Sequence, residues 1–196
     1  MSVYGAHDLL HVDPQIAQAW PDAPPWVFAS LVRAPWVVVR RDCERDDVPV
    51  GVRGNTRVER YATRIAASQI ARAVTPDALL ACIPSTTRPL DRAAALLRDA
   101  AARCGVHSGL TGAYGFELTS ATCVTHPGSD LDAVVADAPC ERLATFAAAC
   151  GAIAQVTGVR LDIEVLVPEG GVALAELLAT RRPMLVKTNA GPVLIR

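Results

Sequence analysis

Residues 129–137 read SDLDAVVAD, and the placing of their acids decides the fold. Asp130 and Asp132 stand one residue apart, beside an apolar run, where their mutual repulsion costs stability. Two structures could carry this pattern. As a helix start, Ser129 would be the N-cap and Asp132 would close a capping box. The acids would then point about 200° apart around the axis. As a strand, residues i and i+2 share a face, and both carboxylates can serve one divalent cation or a pair. A β-branched run after the second acid favours the strand. A second segment of the same kind lies at residues 159–167, VRLDIEVLV. There Val159, Leu161, Ile163, Val165 and Val167 alternate with Arg160, Asp162 and Glu164, the mark of a strand with one buried side. The intervening PCERLATFAAACGAIAQVTG reads as a helix stopped by Gly158. A strand–helix–strand connection of this length sets the two acid-bearing strands side by side.

Upstream of these strands, GAYGFE (residues 112–117) is a glycine turn opening a helix, where backbone N–H groups suit a phosphate. Three or four converging carboxylates suit magnesium, which keeps waters and bridges to substrate phosphates. The rest of the chain is read more coarsely. HDLL and a Pro/Trp-rich stretch make a polar entry over residues 1–30. PWVVVRR and VPVGVRG are strands. NTRVERYATRIAASQIARAV (residues 55–74) reads as a helix capped at Asn55 or Thr56, with Val58, Tyr61, Ile65 and Ile70 on one face. TPDALLACI restarts a helix with Thr75 as N-cap and Pro76 at its first position. LDRAAALLRDAAARCG is a strong helix ended by Gly105, GGVALAELLATRRP a short one, and MLVKTNAGPVLI a closing hairpin. A boundary falls near residues 84–90, giving units of 1–87 and 88–196.

The 196 residues are 51% hydrophobic and 20% charged, a globular composition. A formal net charge of −1 gives no bulk case for nucleic-acid or membrane binding. Nine of the 18 arginines fall between Arg33 and Arg72, and Lys187 is the sole lysine. The six cysteines, at 43, 82, 104, 123, 140 and 150, lack CxxC or zinc spacing and read as reduced thiols of a cytoplasmic protein. No apolar run is long enough for a membrane span, and the first residues do not form a signal peptide. His7, His11, His107 and His126 lack metal-ligand spacing, and no Ser/His/Asp or Cys/His nucleophile arrangement can be assembled.

The order of glycine turn, SDLD and RLDIEV resembles the nucleotidyltransferase superfamily of the DNA polymerase β type. More narrowly, HDLL, PWVVVRR, VPVGVRGNTRVERYA, TGAYGFELTS, PGSDLD, RLDIEVLVPEGGVALAE and MLVKTNAGPVL occur in the order seen in phosphoribosyl-dephospho-CoA transferases, the holo-acyl-carrier-protein synthases of malonate decarboxylase. The resemblance spans nearly the whole chain. It implies an α/β (α+β) nucleotidyltransferase fold with a mixed sheet and flanking helices, plus a small N-terminal α/β domain. It implies transfer of the prosthetic group from triphosphoribosyl-dephospho-CoA to a serine of the malonate decarboxylase acyl carrier protein, with pyrophosphate leaving and magnesium required. Asp130, Asp132 and Asp162 would hold the metal and be catalytic, with Glu164 an alternative third acid. Gly112, Ala113, Arg53, Arg57 and Lys187 would contact substrate, Arg57 lying in a stripe with Arg60 and Arg64. The superfamily's Gly-Ser is here Gly112-Ala113, so one hydroxyl contact to phosphate is missing. Another nucleotidyltransferase with a different acceptor, or a non-catalytic carrier-binding module, are the alternatives. Neither a nucleic acid nor a membrane partner is expected.

Overall fold

The computed structural model describes residues 4–42, 46–56, 58–179 and 183–195, and places them in two sheets with helices. The first sheet contains β1 (Leu9–Val12), β2 (Trp36–Val39), β3 (Val48–Arg53), β4 (Arg60–Ile65) and β5 (Ile70–Val74). It is antiparallel throughout, in the order β4-β3-β2-β1-β5. In β3 the valines 48, 50 and 52 turn inward, while Pro49, Gly51 and Arg53 turn the other way. Helix α1 (Pro25–Arg33) lays Val27 and Leu31 on that inner face, against Leu10, Val12, Val37 and Val39. Each such side chain, fully buried, contributes about 1.5–3 kcal/mol.

The helix expected over residues 55–74 is not formed. The chain there makes a loop, β4, a short 3-10 turn at Ala67–Gln69, and β5. The reason lies in the spacing. Tyr61 and Ile65 are four apart, which puts them on one face of a strand as well as of a helix. Val58 is 88% exposed, so the supposed apolar stripe has no first member. Pairing with β3, which sets Ile65 against Val48 and Tyr61 against Val52, decides for the strand. The helix placed at Thr75 is also corrected, since only a 3-10 segment, Ala78–Cys82, forms there. In the stretch read as polar entry, β1, a 3-10 helix (Pro14–Ala19) and α1 are formed.

The second sheet is mixed. Its strands are β6 (Ser108–Leu110), β7 (Leu131–Ala136), β8 (Leu161–Val167), β9 (Gly170–Ala173), β10 (Met184–Thr188) and β11 (Gly191–Ile195), ordered β11-β10-β9-β8-β7-β6. Only β7 and β8 are parallel, joined by α4 (Cys140–Thr157). Helix α2 (Pro89–Cys104) packs beside α4, with small residues Ala93, Ala94, Ala100 and Ala101 letting the two approach. Leu97, Leu143, Phe146 and Ile153 join Leu131, Val135, Ile163 and Val165 in the larger core. Both helices stop where the sequence places the stop, at Gly105 and Gly158. The segment GGVALAELLATRRP begins as β9 before the short helix α5 (Leu174–Leu178), and the closing hairpin forms as expected.

The sheets meet. Leu9 and Trp36 of the first, with Ala34 at the end of α1, belong to the core of the second, while the neighbouring Leu10 and Val37 belong to the first sheet's own core. His11 sets its ring edge against Trp36, with centroids 5.0 Å apart. Five free cysteines are found among the described residues, and Cys43 lies outside them. Among the described residues no helix is long and apolar enough to cross a membrane.

Candidate active site

Parallel pairing of β7 and β8 puts Asp132 directly beside Asp162 in register. Neighbouring strands lie about 4.8 Å apart, so the two carboxyl groups share one patch of surface. Asp130, just ahead of β7, lies two residues before Asp132 and receives Arg160, whose Nε donates to Oδ1 at 2.8 Å and whose Nη2 bonds Oδ2. Burial pushes the Asp132 carboxyl above the usual range, and Asp162 and Asp130 add to this, against the pull of Arg53 and Arg160. The acids are therefore set where a positive charge would be welcomed.

Above Asp132 the chain turns into α3 (Gly112–Ser120). Gly112 has φ +64°, and a Cβ there would lie 2.6 Å from the Asp132 Cγ and closer still to its Oδ2. No side chain fits. The Thr111 N–H donates to the Asp132 carbonyl at 3.0 Å, holding the turn against the strand. Gly112 and Ala113, at the N-terminal end of α3, line a cleft of about 690 Å³ together with Asp130, Asp132, Arg160 and Asp162.

The other side of the cleft comes from the first sheet. Arg53 and Arg60 face one another across β3 and β4, and Arg33 from the last turn of α1 opens into the same space. Between the strands runs a tight loop. The Gly54 N–H donates to the Glu59 carbonyl at 3.0 Å, the Thr56 N–H to the Glu59 carboxylate at 2.8 Å, and Arg33 bonds Asn55. The segment Thr122–Ser129 closes the rim. It is pinned by Glu117, which accepts from Val124 N at 3.0 Å, Thr125 N at 2.9 Å, Thr125 Oγ1 at 2.7 Å, and from Arg88. Burial works against the Glu117 charge, but these donors together outweigh it and bring its pKa down to about 2. Below it, the Tyr114 hydroxyl donates to Asp91 at 2.8 Å, with Arg88 over the Tyr114 ring.

The residues expected to act therefore fall into three groups. Asp130, Asp132, Asp162, Gly112, Ala113 and Arg53 line one cleft. Lys187 and Glu164 are elsewhere: Lys187 Nζ donates to Glu164 Oε2 at 2.8 Å, and neither is among the cleft-lining residues. Glu164 also receives Arg41 and, at 3.3 Å, His7 Nε2. Burial opposes its charge, yet His7, Lys187 and Arg41 hold it far below the usual range. Arg57 lies outside the described residues. Of the rest of the arginine stripe, Arg64 bonds Asp42 at 2.6 Å and the Asp47 carbonyl, away from the cleft. The sequence alone gives Arg33, Arg88, Glu117 and Arg160 no assigned role. Arg160 alone carried a signal, sharing the polar face of its strand with Asp162.

The fit for magnesium rests on this donor set. Among the described residues, no group of three or more His, Cys, Asp or Glu side chains is arranged to enclose a metal ion. Magnesium does not need such a cage, because one or two carboxylates suffice when waters and substrate phosphates complete its shell. Asp132 and Asp162 supply that smaller set.

A cleft with paired carboxylates on one side and guanidinium groups on the other, under a helix N-terminus, suits an enzyme that moves a phosphate-linked group. Comparison with known proteins agrees. Residues 5–76 match the model of the phosphoribosyl-dephospho-CoA transferase MdcG N-terminal domain, and residues 78–196 that of the C-terminal domain. The phosphoribosyl-dephospho-CoA transferase of Pseudomonas aeruginosa is 36% identical over 200 residues, covering 96% of this chain and 90% of the relative. Proteins of the same name from Pseudomonas fluorescens (36%, 93% of this chain, 88% of the relative) and Klebsiella pneumoniae (37%, 94% and 91%) are similarly close. The chain belongs to the phosphoribosyl-dephospho-CoA transferase family and is a transferase. No solved structure matches it.

Proposed function

We propose that this protein transfers the phosphoribosyl-dephospho-CoA unit from triphosphoribosyl-dephospho-CoA to a serine hydroxyl of the malonate decarboxylase acyl carrier protein, releasing pyrophosphate. The observation that carries this reading is the in-register pair Asp132 and Asp162 beneath the Gly112 turn. It is the arrangement expected of a nucleotidyltransferase: glycine turn, Asp-x-Asp strand, and a third acid on the neighbouring strand. Family membership supplies the group transferred.

In this reading the chain does four things. The α3 N-terminus, with Gly112 and Ala113, receives phosphate oxygens through backbone N–H groups and the helix dipole. Asp162, exposed at the cleft, lies open to an acceptor protein and takes the serine proton. Asp132, set between Gly112 and Asp162, with Asp130 beside it, presents the negative charge that a cation bridging to the reacting phosphate would need. Arg53 binds the phosphates from the other side. Magnesium, held by Asp132 and Asp162 with Asp130 beside them, would supply charge neutralisation on the phosphate oxygens when bound. Lys187, occupied by Glu164, is assigned no step.

The test is the intact mass of the carrier subunit before and after incubation with this protein, the triphosphorylated precursor and magnesium. Gain of one phosphoribosyl-dephospho-CoA unit on a serine, with pyrophosphate released in equal amount, is the expected result. A carrier that binds the protein and keeps its mass would replace the enzyme by a binding module.

A further inference from the structure

We infer that the guanidinium side of the cleft, Arg33, Arg53 and Arg60, is the seat of the departing pyrophosphate, so that the first sheet reads the substrate as a polyphosphate. The inference rests on the reading above for the identity of the leaving group.

Three observations carry it. Arg53 and Arg60 are directly opposite in an antiparallel pair, where like charges destabilise the sheet. The chain tolerates this at the end of the hairpin that faces the acids and nowhere else along β3 and β4, whose remaining pairs are Val48 with Ile65, Pro49 with Arg64, Val50 with Thr63, Gly51 with Ala62 and Val52 with Tyr61. Arg53 is also half-buried, and burial and Arg60 together disfavour its charge by more than Asp132 favours it. An anion seated between the two guanidiniums relieves both penalties. Finally, the loop that carries them is held by its own bonds. The one acid within it, Glu59, accepts from Thr56 N and also feels the charge of Arg33, while Arg60 Nη1 donates to the Thr56 and Glu59 carbonyls at 3.3 and 3.1 Å. Arg33, from a separate helix, is tied to Asn55 of this loop and lines the same cleft.

The chemistry requires such a seat. The serine oxygen forms a bond to the α-phosphorus, and the bond from that phosphorus to the bridging oxygen breaks. The serine proton passes to Asp162, and the electron pair of the broken bond goes to pyrophosphate, whose charge rises by one. Donors fixed where charge develops favour the transition state over the ground state. Arginine forks match phosphate oxygens two at a time. The acids, by contrast, cannot approach the terminal phosphates without a cation between.

Pyrophosphate is therefore a ligand in its own right, and a competitor of the precursor. The experiment is titration calorimetry of inorganic pyrophosphate into the full chain, beside R33Q and R60Q, with the thermal unfolding of each as a control of folding. Arg33 and Arg60 are exposed, so both variants are expected to fold. The wild type should bind pyrophosphate with an affinity that falls as salt rises, and each variant should lose roughly tenfold or more. Pyrophosphate should also inhibit transfer competitively against precursor. Equal pyrophosphate affinity in the wild type and both folded variants would overturn the inference, as would a wild type that binds no pyrophosphate at millimolar concentration. A protein that binds pyrophosphate through these arginines but modifies no carrier would uphold the seat and remove the proposed reaction. One that modifies its carrier while R33Q and R60Q bind pyrophosphate unchanged would do the reverse.

Discussion

Gly112→Ala is the smallest change that should disable the site. Its cost has two parts. A left-handed backbone at φ +64° costs an alanine about 1–2 kcal/mol relative to glycine. The new methyl carbon would also stand 2.6 Å from the Asp132 Cγ, nearer than real atoms come, so either the carboxyl group or the start of α3 must move. Strain alone should lower the melting temperature by several degrees, at about 2–4 °C per kcal/mol for a chain of this size. The effect on rate should be far larger, since misplacing a reacting group by about 1 Å costs on the order of a hundredfold. Ala113→Ser, one residue on, is the control. It adds at most one hydrogen bond to phosphate, about 1.4 kcal/mol, and should change transfer by roughly tenfold or less. The assay is the rate of carrier mass gain at saturating precursor, alongside thermal unfolding. A Gly112→Ala protein that stays folded and transfers within about threefold of wild type would refute the claim that the Gly112–Asp132 contact sets the reacting geometry.

Asp132→Asn should abolish transfer yet raise the melting temperature at neutral pH. The raised carboxyl pKa means that charge on Asp132 opposes folding, an opposition absent below its unfolded value and complete once pH has risen through the folded one; the gain should vanish toward acid pH in a melting series. Glu117→Gln should loosen the rim at Thr122–Ser129 and slow transfer. Because the Glu117 pKa is lowered to about 2, its contribution is present above the unfolded carboxylate range and lost as pH falls toward that value, so the destabilisation by the variant should shrink in acid. Glu164→Ala should leave Arg41 and Lys187 without their acid and cost about 3 kcal/mol by denaturant unfolding, with the cleft residues themselves untouched.

The acid strands were legible because a two-residue period over Val159–Val167 has no helical counterpart, and because SDLD meets a β-branched run. The family motifs then carried the assignment of Gly112 and the third acid. The β3–β4 hairpin was not legible. Tyr61 and Ile65 are spaced for either period, and only the presence of β3 as a partner decides between them. Glu117 and Arg88 escaped for a different reason. A carboxylate that pins a loop from the middle of a helix looks, in sequence, like any solvated helix acid. Its partners, Thr125 and Val124, are defined by the fold and by no spacing. Glu164 shares a strand with Asp162 and looked equivalent as a third acid. Which cations reach it depends on β10 and on the segment around His7, brought close only by tertiary structure.

Alternate residues of β1 and β2 serve different cores, Leu10 and Val37 one, Leu9 and Trp36 the other. A wall common to two compartments cannot tilt toward one without opening the other. The arginines and the aspartates of the cleft thus stand on two sheets that share this wall, and their relative placement depends on it. A substitution in the shared wall, far from the cleft, would therefore shift one set of charges relative to the other.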